Sequence, residues 1–167
     1  MGVSSEGGDV LLPIGDDECL LRLVWSSDVV DGELQPTAFV SADLRGPVRG
    51  LSVDRRPIAK RAVVSALAVY QRSKAVKAGD RDEAHISEIS CRAVRALADP
   101  ETKEPVCIVE ASPMPKDDEL GLLEDPAHAQ IASRTKRSPS KVKELRLMLL
   151  PLFSRPCPLE RYRFPDE

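Results

Sequence analysis

Residues 50–79 read GLSVDRRPIAKRAVVSALAVYQRSKAVKAG, and the reading of this stretch decides the fold. At about 100° per residue, Ile58, Ala59, Ala62, Val63, Ala66, Leu67, Val69 and Tyr70 fall within one half of a helical wheel. Lys60, Arg61, Ser65, Gln71 and Arg72 fall in the other half, and only Val64 and Ala68 intrude there. A broad apolar stripe suits a helix lying on a sheet. The spacing predicts one long helix over about 56–78. Asp54 is the expected N-cap, Pro57 is tolerated in the first turn, and Gly79 supplies a left-handed residue at the end. Lys74 and Lys77 sit where the helix dipole favours cations, whereas Lys60 and Arg61 sit at the end that does not. Ordinary solvation of surface charge accounts for that pair without a special role.

Upstream, residues 18–25 (ECLLRLVW) alternate as a strand, with Cys19, Leu21, Leu23 and Trp25 on one face and Leu20, Arg22 and Val24 on the other. Two largely apolar faces mark an interior strand, so Arg22 must reach an edge or find a partner. A structural ion pair is expected ahead of a ligand contact. Asp31-Gly32, Gln35-Pro36 and Gly46-Pro47 signal turns, with a short strand expected at Thr37–Val40 and an extended piece at Leu51–Val53. Downstream, His85–Ser90 reads as a strand, after which Ser90 caps a short helix over Cys91–Ala98. One continuous helix from Asp82 to Ala98 is the competing reading. Val106–Ala111 is a strong strand. Residues 112–126 are an acidic, Pro-rich loop pinned by Leu120, Leu122 and Leu123. Ala127–Ser133 is a weak strand, expected at an edge. Ser138-Pro139 starts a helix that buries Val142, Leu145, Met148 and Leu149. Phe153, Tyr162 and Phe164 are expected to dock from the tail.

The expected fold class is α+β: a small mixed or antiparallel sheet packed by one long helix (about 56–78) and a C-terminal helix (about 139–150). Residues 1–17 read as a loose acidic tail with an apolar contact at Leu11–Ile14. Residues 18–150 read as a single domain, and 151–167 as an irregular Pro-rich tail. Of the 167 residues, 42% are hydrophobic but only 4% aromatic, so the core must be aliphatic. No run reaches the length of a membrane span, and the N-terminus lacks the basic and apolar regions of a secretion signal. Cys19, Cys91, Cys107 and Cys157 show no close spacing and read as free thiols in a reducing, cytoplasmic compartment.

The net charge of −3 conceals a division. Residues 45–77 hold nine Lys/Arg against Asp54 alone, and 134–163 hold nine against Glu144 and Glu160. Residues 1–44 carry nine acids against Arg22. Such blocks either face each other or present a surface to a charged partner.

Three pieces, DGELQPTAF (31–39), GLSVDR (50–55) and EDPAHAQI (124–131) ahead of a basic C-terminal helix, occur in an order that resembles a family of small bacterial proteins with no established activity. The resemblance implies a bacterial, cytoplasmic setting. The chain departs from the family pattern by extra residues around 99–120.

No catalytic signature stands out. His85 and His128 are 43 positions apart with no Cys or His at zinc spacing, so neither a metal nor a cofactor is expected. Cys91 with His85 is the one nearby nucleophile–base pair, and it reads as a core thiol beside a surface histidine. Neither GxGxxG nor GxxxxGK[ST] occurs. Arg45, Arg49, Arg55 and Arg56 around Gly46–Gly50 make a Gly/Arg-rich approach to a helix start, a setting in which anions bind. The sharpest enzyme idea is ADP-ribosyl transfer, with Arg22 and Ser52 holding a dinucleotide, Glu110 or Glu88 polarising the transferred group, and His128 at the cleft mouth. Nucleic-acid binding through 45–77 and 134–146 is the runner-up, against an acidic total and no reader motif. The leading expectation is a non-catalytic accessory protein. In it, Arg45, Arg49, Arg55, Arg56, Lys60, Arg61, Arg134, Lys136 and Arg137 meet another protein, or meet the chain's own acidic segments.

Overall fold

The alternation at 18–25 becomes β1 (Cys19–Trp25), an interior strand as its two apolar faces require. The computed structural model describes residues 13–77 and 79–167. The other sheet strands are β4 (Leu51–Arg55), β5 (Ala84–Ser90), β6 (Cys107–Ala111), β7 (His128–Ser133) and β8 (Cys157–Pro158). They lie in the order β6-β7-β4-β1-β5-β8, every pairing antiparallel. A separate hairpin, β2 (Val29–Val30) with β3 (Glu33–Leu34), turns at Asp31-Gly32, where both residues take positive φ. The helices are α1 (Arg61–Ser73), α2 (Cys91–Ala96) and α3 (Pro139–Leu149). The molecule is therefore α+β, with a six-stranded sheet and helices on both of its faces. Among the described residues no helix is long and apolar enough to cross a membrane.

Leu20 and Val24 enter the larger core with Leu51, Val53, Ile89, Val109 and Ile131, closed by Val94 of α2 and by Val142, Leu145 and Leu149 of α3. The strand-then-helix reading of 84–96 holds: Ser90 Oγ accepts from the Ala93 N–H and caps α2. The opposite face carries Leu21 and Ile86 under Val64, and Trp25 and Ala84 under Ala68.

Several expectations are corrected. The long helix begins only at Arg61, because Asp54 and Arg55 belong to β4 and a 3-10 turn, Arg56–Ile58, follows. Asp54 is therefore no cap. The helix ends at Ser73, where the Gln71 carbonyl accepts from both the Lys74 N–H and the Arg81 guanidinium. Its inward face is also rotated: Val64 and Ala68 are buried, whereas Val69 is 65% exposed. Arg61 and Gln71 lie on the inward side as hydrogen-bonding groups, Gln71 accepting from Trp25 Nε1 at 2.9 Å, which a wheel that sends polar residues outward misplaces. Thr37–Val40 is not a strand; Pro36–Ala38 forms a 3-10 turn.

β7 is interior, between β6 and β4. Its small residues Ala129, Ala132 and Ser133 read as weak but permit close packing, and Gly50 completes it, since a Cβ there would lie 2.8 Å from the Ile131 carbonyl oxygen. The 112–126 loop is a hairpin arm. Met114 and Asp125 exchange both backbone hydrogen bonds at 2.9 Å, Asp117 and Leu122 exchange two more, and Gly121 turns at φ 69°. Leu120 and Leu123 do not pin it, being 42% and 48% exposed.

Both ends of the described chain are tied down. Ile14 is buried in the larger core, and Arg95 Nη1 donates to its carbonyl at 2.8 Å and to Asp16 at 2.7 Å, so the part of the expected loose tail that is described is docked; Leu11 lies outside the described residues. Tyr162 and Phe164 are buried edge-to-face at 4.9 Å, and β8 pairs with β5, so 151–167 is an integral covering of the sheet.

Candidate functional site

The sheet does not stay zipped. β1 pairs with β5 along its whole length, but with β4 only at Leu20↔Arg55 and Leu21↔Asp54. Continued, that register would set Arg22 against Val53 and Leu23 against Ser52; instead the strands part. Backbone groups freed by the split need partners. Arg22 supplies them: Nη1 donates to the Ser52 carbonyl at 2.9 Å and Nη2 to the Ala38 carbonyl at 2.8 Å. The guanidinium carbon lies 5.8 Å from the Phe39 ring centroid. The expected ion pair is absent among the described residues; carbonyl dipoles and the ring hold this cation, and its Nε is buried with no partner. Burial lowers the Arg22 pKa, opposed by the fields of Asp43 and Asp28.

The split opens a cleft of about 610 Å³. Its lining is mixed: Leu21, Leu23, Val53, Trp25 and Leu67 are apolar, and Ser52, Thr37, Asp54, His128, Arg22 and Arg81 with Asp28, Asp43 and Asp80 are polar. Stretches 31–39, 50–55 and 124–131 meet here, through Thr37 and Ala38, Ser52 to Asp54, and His128.

Asp54 and His128 are cross-strand partners. The His128 Nδ1 lies 2.7 Å from the Ser112 carbonyl oxygen, which can only accept, so Nδ1 carries the proton and Nε2 is the acceptor. Asp54 is 7% exposed and its Oδ1 has no partner. Burial, then a hydrogen bond shared with Asp125, pushes its pKa up to about 9, so at neutral pH it is a carboxylic acid able to donate. The site thus sets a buried acid that keeps its proton beside a histidine whose Nδ1 is committed to a backbone carbonyl.

Ser52, Gln130 and Glu110 form one row across β4, β7 and β6 on the same face. α1 does not cover this part of the sheet; Ser52 and Glu110 are exposed. Two strand spacings put Glu110 about 10 Å from Ser52.

The structure therefore brings Arg22, Ser52 and His128 together. It does not bring either glutamate into the cleft: Glu110 stands off along the row, and Glu88 accepts from the Tyr162 hydroxyl at 2.5 Å and pairs with Arg56 at 3.3 Å elsewhere. Nor do the arginines of 45–56 form an anion turn. Arg55 pairs with Glu18 at 2.8 Å, both nearly buried, and Arg55 holds the Glu18 carboxyl below its usual range. Arg56 donates to the Tyr162 hydroxyl. Arg61 clamps the C-terminal segment through Glu167 and the Leu159 and Tyr162 carbonyls. These three side chains are held by partners within the fold. Lys60 is exposed at the start of α1. Arg45, Arg49, Arg134, Lys136 and Arg137 gather elsewhere, where the Arg137 N–H donates to the Arg45 carbonyl at 2.7 Å.

Cys91 is buried in the larger core and His85 Nδ1 faces the Glu83 carbonyl, so they make no nucleophile–base pair. All four cysteines are free; burial pushes the Cys19 and Cys107 thiols up to about 11, which keeps them protonated and unreactive. No group of three His, Cys, Asp or Glu among the described residues is placed to hold a metal.

Asp54 reads in sequence as a helix cap, which hides it as a site residue. Period-two alternation held the signal: Ser52 and Asp54 in LSVDR, and His128 and Gln130 in HAQI, are polar residues two apart on adjacent strands. The chain matches no protein-family model, no curated protein and no solved structure.

Proposed function

We propose that this protein binds a polar, largely uncharged ring compound of the nucleoside class in the split of its sheet. The observation that carries this reading is the parting of β1 from β4, with Arg22 fixed across the gap and Ser52, Asp54 and His128 facing one cleft. The volume suits a single small molecule. The apolar part of the lining fits a heterocycle. A hydroxyl, an imidazole acceptor and a neutral acid fit ring nitrogens and sugar hydroxyls. Two arginines stand against three aspartates besides Asp54, a balance that does not favour a free phosphate. Neither Glu88 nor Glu110 lines the cleft, so binding is supported ahead of the expected ADP-ribosyl-transfer arrangement. The four free thiols fit a cytoplasmic setting, which fractionation of native cells checks.

Calorimetric titration with adenosine, guanosine, cytidine and uridine tests the reading, with inorganic phosphate as control. Binding of at least one nucleoside is expected, reduced at least about tenfold by Ser52→Trp, which fills the mouth from an exposed position. Binding of phosphate alone, or equal nucleoside binding by the variant, contradicts it.

A second reading, protein docking by an accessory protein, is supported by the arm. Met114, Leu120 and Leu123 are 42–48% exposed there beside Asp117, Asp118, Glu119 and Glu124. An apolar patch with an acidic rim fits a basic protein surface. In a pull-down from native lysate after nuclease treatment, Leu120→Ser/Leu123→Ser is expected to lose a partner that the parent chain retains. The same partner captured by both removes the arm from consideration.

A further inference from the structure

We infer that the basic end of the molecule docks the phosphate backbone of a nucleic acid, independently of the cleft. Residues 134–146 hold six Lys/Arg against Glu144 alone. The fold sets this segment against the turn at 41–49. The Arg137 N–H donates to the Arg45 carbonyl, Lys136 Cα lies 3.8 Å from where a Cβ on Gly46 would sit, and Arg146 reaches the Ser41 hydroxyl at 2.5 Å. Lys143 stands one turn before Arg146 on α3. The result is one cationic face drawn from two separate stretches of chain.

Part of that charge is spent within the protein: Arg49 pairs with Asp43, Lys141 pairs with Glu144 and feels Glu101 and Asp99, and Arg137 acts on Asp99. Arg45, Arg134, Lys136 and Lys143 are exposed and, among the described residues, have no carboxylate at ion-pair distance. The acidic arm does not cover them. It leaves β6 and β7 at the Ala111↔Ala129 end, and the basic segment leaves at the Cys107↔Ser133 end, about 15 Å away along the strands. The chain is thus polarised, which steers a polyanion to one end and repels it from the other although the total charge is −3. Arginines and lysines spread over two segments match a repeating phosphate chain. No aromatic residue lies in either of these two stretches, so contact is to the backbone and without sequence preference.

Fluorescence anisotropy of a labelled single-stranded oligonucleotide and of a duplex, at about 50–200 mM salt, tests the inference. Binding is expected, with a log–log salt slope of about −3 to −5 for four to six phosphates. Arg134→Glu/Lys136→Glu/Lys143→Glu, at exposed positions, should weaken it at least tenfold, and Ser52→Trp should leave it unchanged. The inference is overturned by no binding at the lowest salt, by equal binding of the triple variant, or by capture of poly-glutamate but of neither oligonucleotide. Loss of binding in Ser52→Trp would instead assign the contact to the cleft.

Discussion

Arg22→Met lowers the free energy of unfolding by about 2–4 kcal/mol, a loss set by two charge-assisted hydrogen bonds and the acceptors they leave behind. Methionine matches the aliphatic stem and keeps contact with Phe39, so packing changes little. The Ser52 and Ala38 carbonyls, however, lose their donors at 2.9 and 2.8 Å, and among the described residues no other side chain donates to either of them. Water entering through the cleft satisfies the Ser52 carbonyl in part, which holds the loss below that of two fully buried orphans. Arg22→Lys, whose compact ammonium lacks the planar fork, should fall between parent and Met variant. Denaturant unfolding followed by circular dichroism measures the difference. An unchanged midpoint for Arg22→Met would mean that the guanidinium does not hold the split.

Asp54→Asn stabilises the protein at pH 8 by about 1–3 kcal/mol, the opposite of what loss of a buried acid usually does. The folded-state pKa is raised to about 9 by burial and by Asp125, against an unfolded value near 3.9. Between those values the folded state keeps a proton that the unfolded state has released. Stability from this group is therefore complete below the unfolded value and declines as pH rises through the window toward 9. Asparagine cannot ionise and still donates to Asp125, so the variant omits that decline. Glu18 acts with the opposite sign: Arg55 lowers its folded-state pKa, so its contribution is present above the ordinary carboxylate range and is lost on acidification. The two windows separate, and the difference between parent and Asp54→Asn isolates Asp54. The same difference between parent and Asp54→Asn at pH 5 and at pH 8 would show that Asp54 is ionised in the folded protein.

Much of the architecture was legible from local pattern. The ECLLRLVW strand, the Ser90-capped helix and the Ser138-Pro139 helix start each rest on neighbours in sequence, and each stands as read, although the Ser138 hydroxyl itself makes no cap hydrogen bond. What failed depended on distant partners. Asp54 and Arg55 look like the lead-in to a helix until β1 and β7 engage them as strand. Arg61 and Gln71 look outward until the C-terminal segment and Trp25 supply partners. β7 looks like an edge because its residues are small, and smallness is what lets it pack between neighbours. Arg22, Ser52 and His128 lie far apart in sequence, and only the parting of two strands, a tertiary event without a local signature, makes them line one cleft.

The central claim is that this parting forms a binding site. It is tested most directly by recording amide ¹H–¹⁵N spectra of the intact chain during titration with each common ribonucleoside. Shifts concentrated at Arg22, Ala38, Ser52, Asp54 and His128 are predicted for at least one of them. No shift with any nucleoside, or shifts confined to the 112–127 arm or to the basic 134–146 segment, would contradict it.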